Sequence, residues 1–251
     1  MRKSLFGIVA CVCVFSPLWA VAAEPEAPRL PVDAYRLENG LKVVLSRDAT
    51  VPRVTVCMVY HVGSKNERAG RTGFAHFFEH MMFRGTKNVP DYDEPLHEAG
   101  ASSNATTNED LTTYFETVPA NFLERALYLE AERLAFLTSA LNQGKFDTER
   151  EVVKNERRLS VDNQPYGIAE EALLARVFPA GHPYSWSVIG SMKDLDRGSL
   201  DDLRQFFGEF YSPSNAALAL VGDFDPAQAK EWISRYFSPL KPGKAPASVK
   251  A

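Results

Sequence analysis

Apolar and polar positions change period several times along this chain, and each change marks an element. Tyr35 to Leu45 alternates on both sides of Asn39-Gly40, a dipeptide that supplies the positive φ angles of a tight turn, so a hairpin is predicted. Val54 to Val62 alternates as a third strand, and Gly63 to Gly73, charged and with three glycines, reads as a loop. Phe74 to Phe83 is apolar on nearly every side, as a buried helix would be, and Gly85 to Pro90 breaks it. Tyr92 to Ala99 reads as a short helix, and Ala101–Thr107 with Leu111–Val118 as a second hairpin. A helical period then runs from Ala120 to Leu137, a charged helix from about Phe146 to Val161, and further helices over Gln164–Phe178, Leu200–Tyr211 and Pro226–Tyr236. Asn215 to Val221 is continuously apolar and predicts a strand buried on both faces. Strands in two groups with helices between them predict an α+β fold, a mixed β-sheet with helices packed on one face.

Within the apolar helix two histidines stand four residues apart. His76 and His80 are one turn apart on one face, so both imidazoles can reach one ion, and Glu79 shares that face. Imidazoles and a carboxylate inside an apolar helix are costly unless something compensates them, and a metal does so. The order His-x-x-Glu-His is the inverzincin signature. A catalytic zinc site takes three protein ligands and keeps a position for water, so a third ligand is expected downstream. In Glu149-Arg-Glu-Val-Val-Lys-Asn-Glu156, a helix places Glu149, Val153 and Glu156 on one stripe. Glu156 is then the candidate ligand and Glu149 a candidate to orient a ligand or a water. On spacing alone, the same carboxylates also suit a solvated helix face paired with Lys and Arg. His61, His97 and His182 fall at a strand end, in a short helix and in a loop, and read as structural or surface residues.

Composition narrows the setting. Residues 1–23 read as a secretory signal peptide: Arg2 and Lys3, an apolar core from Leu5 to Trp19, and the small-residue site Ala20–Ala23. Export across the inner membrane to the periplasm is the expectation, with no membrane span in the mature chain. Cleavage removes two positive charges and takes the formal net charge from −4 to about −6, which argues against nucleic acid as a partner. Cys11 and Cys13 leave with the signal, and Cys57, on an alternating strand, is expected in the core. Residues 24–34 read as an extended leader, 35–237 as the domain, and the Pro- and Lys-rich stretch 238–251 as a linker-like tail.

The run His76-Phe-Phe-Glu79-His80-Met-Met-Phe-Arg-Gly-Thr86 resembles the pitrilysin/insulinase-type metallopeptidase family, especially its bacterial processing-peptidase-like branch. Leu37-Glu-Asn-Gly-Leu-Lys-Val, Gly100-Ala-Ser-Ser-Asn104-Ala-Thr-Thr-Asn and Glu149 to Glu156 agree with it, so the likeness covers roughly Tyr35 to Phe237. The resemblance implies a mitochondrial-processing-peptidase-like metallohydrolase fold, one zinc per chain on His76, His80 and Glu156, Glu79 as the catalytic base and Glu149 in support. It also implies substrate contacts at Asn104 and Ala105, on an edge strand that pairs with a peptide backbone, and at Phe77.

Members of that family carry two homologous halves, the second adding an Arg-Tyr pair that steadies the tetrahedral intermediate. This sequence matches the first half, and its own Arg235-Tyr236 belongs to the last predicted helix. A second homologous domain or chain is therefore the expected partner, beside a peptide substrate. The chain reads as an exported zinc metalloendopeptidase, with two rivals: a non-catalytic zinc-containing subunit that holds peptides, and a zinc hydrolase of small molecules.

Overall fold

The Asn39-Gly40 turn joins β1 (Asp33–Arg36) to β2 (Lys42–Arg47) in an antiparallel hairpin with Tyr35 opposite Val43. A computed structural model describes residues 30–244 and 246–249, and the residues from Pro31 onward form one unit. The predicted signal peptide, 1–23, lies outside the described residues, as does the leader up to Arg29. The leader's end is corrected by the structure: Asp33 and Ala34 already pair with Leu45 and Val44.

Four more strands, β3 (Arg53–Tyr60), β4 (Ser102–Thr107), β5 (Thr112–Pro119) and β6 (Ala216–Gly222), complete a sheet of order β1-β2-β6-β3-β5-β4. β6 runs parallel to β2 and antiparallel to β3, and every other pairing is antiparallel, so the sheet is mixed as predicted. β4 lies at one edge, with β5 as its neighbour.

One face of this sheet carries the core. Val54, Val56, Met58 and Tyr60 on β3 are buried, while Thr55, Cys57 and Val59 between them are only half-buried. Helices α1 (Phe74–Met81), α3 (Leu123–Ala140) and α8 (Pro226–Phe237) bury their apolar residues in the same core. Two expectations are corrected here. β6 alternates between buried and part-exposed residues, ending in an exposed Val221, because the helices cover one face only. For the same reason Cys57 lies on the part-exposed face and not in the core.

The remaining helices are α2 (Asp93–Glu98), α4 (Gln143–Arg157), α5 (Ala169–Val177), α6 (Met192–Arg197) and α7 (Leu200–Phe210). α4 begins three residues before the predicted Phe146, because the Asn142 side chain accepts the Lys145 N–H and caps the helix at 3.0 Å. It ends at Arg157, where one wide π-turn carries the chain to Asp162. α6 escapes a periodicity reading because six residues show less than two turns; its signal is the Ser191 cap, which accepts from Asp194 N. The start of the stretch read as a linker stays on the domain: Leu240 packs on the core and Pro242 O accepts from Ser214 N at 3.1 Å. No helix among the described residues is long and apolar enough to cross a membrane.

Candidate metal centre

α1 is buried along Phe74, Ala75, Phe77, Phe78 and Met81, which leaves the stripe of His76 and His80 as its part-exposed face. Its N-terminus is closed by the preceding loop. The carboxyl group of Glu67 accepts from Gly73 N at 3.0 Å and from Ala75 N at 2.7 Å, satisfying two of the donors that a helix start leaves unpaired. α4 lies against α1, with Glu149 and Val153 buried and Glu156 part-exposed on the facing side. The predicted stripe is thus the one that faces the histidines.

The structure brings His76, His80 and Glu156 together. Their Nε2 atoms are 3.3 Å apart, and Glu156 Oε2 is 3.2 Å from His80 Nε2 and 3.7 Å from His76 Nε2. Two imidazole nitrogens so close, facing a buried carboxylate oxygen that has no hydrogen-bond partner, form a donor set that one cation between them would satisfy. Donors bound at 2.0–2.1 Å to one tetrahedral zinc ion lie about 3.4 Å apart, so the donor triangle fits that ion without rearrangement. The three side chains are the only such group of His, Cys, Asp and Glu among the described residues.

Electrostatics agree with this donor set. Burial, followed by the neighbouring His80, lowers the His76 pKa to about 4, so that ring is neutral and keeps its lone pair at neutral pH. His80 Nδ1 donates to Glu149 Oε1 at 3.0 Å, and in the neutral ring this tautomer turns the Nε2 lone pair to the cleft side. Burial disfavours the charged forms of both His80 and Glu149, yet their mutual hydrogen bond moves His80 up and Glu149 down. Arg84 Nε donates to the other Glu149 oxygen. Glu79 is buried beside the ligands; burial raises its pKa, against a hydrogen bond that Thr107 Oγ1 donates to Oε2.

These groups line an open cleft of about 690 Å³. Its other wall is the edge strand, Asn104 to Thr107, with Phe83, Arg84 and Asp93 at the rim. Asn104 and Ala105 are therefore at the cleft, and the Asn104 side chain accepts the Ala105 N–H at 2.8 Å. Phe77 is not: it is fully buried against Phe146, with ring centroids 5.0 Å apart, and presents no surface to a substrate. The expectation at Phe77 is thereby corrected; of the aromatic residues in this run, Phe83 lines the cleft. Arg235 and Tyr236 are engaged elsewhere, both donating to Glu124 Oε1 on α3 at 2.9 Å.

Sequence reasoning passed over Glu67, Arg84 and Thr107, each of which holds a site residue or its helix. Thr107 stands in the edge-strand stretch that matched by resemblance, and Arg84 in the His76–Thr86 run, so position was available as a signal. Glu67, inside a charged loop, offered none.

A helix-borne His-x-x-Glu-His pair, a remote glutamate and an open edge strand define the zinc-hydrolase class in which the motif is inverted. Residues 42–187 match the family described as insulinase (peptidase family M16), and residues 198–251 the one described as peptidase M16 inactive domain. The chain belongs to the insulinase, or M16, peptidase family. It is 37% identical over 216 residues to the zinc protease PqqE of Helicobacter pylori, covering 83% of this chain and 47% of that protein. The crystal structure of a protease from Helicobacter pylori superposes with a TM-score of 0.82 at 33% identity, over 88% of this chain and 53% of that one. The first half of the periplasmic protease PqqL from Escherichia coli gives 0.78 at 26% identity, over 88% and 49%. The chain spans about half the length of the curated relatives it matches.

Proposed function

We propose that this chain is the zinc-binding half of an exported, periplasmic metalloendopeptidase that hydrolyses extended peptides or small unfolded proteins. The observation that carries this reading is the convergence of His76, His80 and Glu156 on one point, with the Glu79 carboxylate beside it in the same cleft. Bound zinc supplies a Lewis acid for the scissile carbonyl and a water whose pKa falls to about 7. Glu79 would accept a proton at Oε1, the oxygen Thr107 does not hold, and return it to the leaving amine. Glu149 holds His80 in the tautomer that binds. A substrate backbone adds to the outer edge of β4, where main-chain hydrogen bonds give affinity with little demand on its side chains.

Two features support a second homologous half as partner. The first matched relatives are about twice this length. Around α5, none of whose residues is buried, Leu159, Ile168, Leu173 and Val177 are exposed, the kind of apolar surface a partner covers. Export is supported by the signal-like pattern of residues 1–23 and by the periplasmic description of PqqL.

The test is incubation of the purified chain, alone and with a matching second half, with an unstructured peptide. Cleavage that stops on chelation and returns with zinc supports the peptidase. Peptide binding without cleavage in both arms supports the non-catalytic subunit, and neither binding nor cleavage removes both readings.

A further inference from the structure

The residue after Glu156 is a buried arginine whose partners all lie outside the cleft. Arg157 Nη1 and Nη2 grip Glu171 of α5 as a fork, at 2.5 and 3.0 Å, and Nη1 also donates to Gly190 O at 2.5 Å. Asp162, at the end of the π-turn, adds an ion pair at 3.3 Å. Glu171 in turn accepts from Ser187 Oγ at 2.7 Å, so one guanidinium and one carboxylate together hold the turn from Ser187 to Gly190.

That turn sits on the start of α1. Gly190 and Gly73, at φ +72° and +89°, pack backbone to backbone: a Cβ on Gly190 would lie 2.4 Å from the Cα and N of Gly73. Gly73 is the N-cap of α1, and His76 is three residues on. The contact is locked beside it, since Ser191 N donates to Thr72 Oγ1 at 3.2 Å and Thr72 Oγ1 donates to Asp194 Oδ2 at 2.7 Å. A continuous set of contacts thus runs from Glu156 through Arg157, Gly190 and Gly73 to His76.

We infer that Arg157 is a positioning residue of the metal centre: it clamps the Ser187–Gly190 turn and so sets the spacing between the Glu156 end of α4 and the His76 end of α1. The other end of the same pair of helices is tied by Glu149 to His80. With both ends fixed, the carboxylate and the imidazoles are held at the spacing one cation requires before it arrives. Three acceptors around a planar fork are met by arginine and not by lysine, whose ammonium is a point charge.

The inference rests on His76, His80 and Glu156 being zinc ligands. Its test is the zinc affinity of the full chain by chelator competition, together with the visible spectrum of the cobalt-substituted protein, at a temperature where each variant is folded. Arg157→Lys and Arg157→Gln weaken zinc binding by about 10- to 100-fold and shift the cobalt bands, both read well below the melting midpoint of the metal-free variant. Wild-type affinity and spectrum in these variants, with or without a lowered midpoint, overturn the inference and leave Arg157 a purely structural group. If neither variant folds, Glu171→Gln, which removes one arm of the fork, decides in the same way. A wild-type chain that binds zinc no more tightly than His80→Ala fails at the ligand assignment instead, and the two failures are distinguished within one titration.

Discussion

His80 Nδ1 and Glu149 Oε1 lie 3.0 Å apart, and this pair determines which nitrogen His80 offers to a metal. Glu149 is only 2% exposed and its second oxygen is held by Arg84, so its position is fixed from two sides. Glu149→Ala leaves the three ligands in place but frees the ring to rotate and to change tautomer. Zinc affinity is expected to fall about 10- to 100-fold, read by chelator competition. An unchanged affinity removes Glu149 from the site.

Glu79 makes a different prediction, because it binds no metal in this arrangement. Glu79→Gln keeps the side chain's size and its contact with Thr107 but cannot take a proton. Zinc content is expected to match the wild type, while peptide hydrolysis by the chain with its second half drops about 10²- to 10⁴-fold. Single-turnover cleavage at the wild-type rate would sink the assignment of the base.

The histidine pair, Glu79 and the Glu149–Glu156 stripe were legible in the sequence because helical spacing is local: four or seven residues fix a face. The hairpin at Asn39-Gly40 was legible for the same reason. What failed was information held by the fold. Phe77 and Phe83 are both apolar neighbours of the motif, and only the packing of α1 on Phe146 sends one inward and leaves the other at the rim. β6 reads as buried on both faces because its residues are small and apolar, whereas the sheet is covered on one side. Glu130, Glu132 and Arg133 are charged yet buried on α3, which its helical period does not reveal: Tyr92 donates to Glu130, and Thr86 and Asn88 donate to Glu132, from positions 38 to 46 residues away.

That last group carries a stability prediction. Arg133 is 1% exposed, pairs with Glu130 and lies over the rings of Tyr92 and Tyr114 at 4.2 and 4.4 Å. Glu116 is buried nearby, and burial and the Glu130 charge push its carboxyl well above the usual carboxylate range. Arg133→Met fills the volume but strands Glu130 without its cation. A loss of roughly 3–5 kcal/mol in urea unfolding is expected, the cost of breaking a buried pair on one side. Arg133→Met combined with Glu130→Gln should recover part of it; no recovery would mean that packing on the aromatic rings dominates.

Glu67 couples the start of α1 to pH. Burial pushes its carboxyl up to about 8, against the opposing effect of the Ala75 and Gly73 N–H groups, while the unfolded chain titrates near the ordinary 4.5. Between about pH 4.5 and 8 the folded state therefore keeps a proton that the unfolded state has released. Stability is fully present below that window and falls as pH rises through it, by about 1.4 kcal/mol per pH unit at its centre. Urea unfolding of the metal-free chain at pH 5, 6, 7 and 8 reads this slope directly. Glu67→Gln keeps one acceptor at the helix start but cannot titrate, so its profile should be flatter by that amount. If the two profiles stay parallel from pH 5 to 8, the pH dependence belongs to other groups and Glu67 is charged throughout.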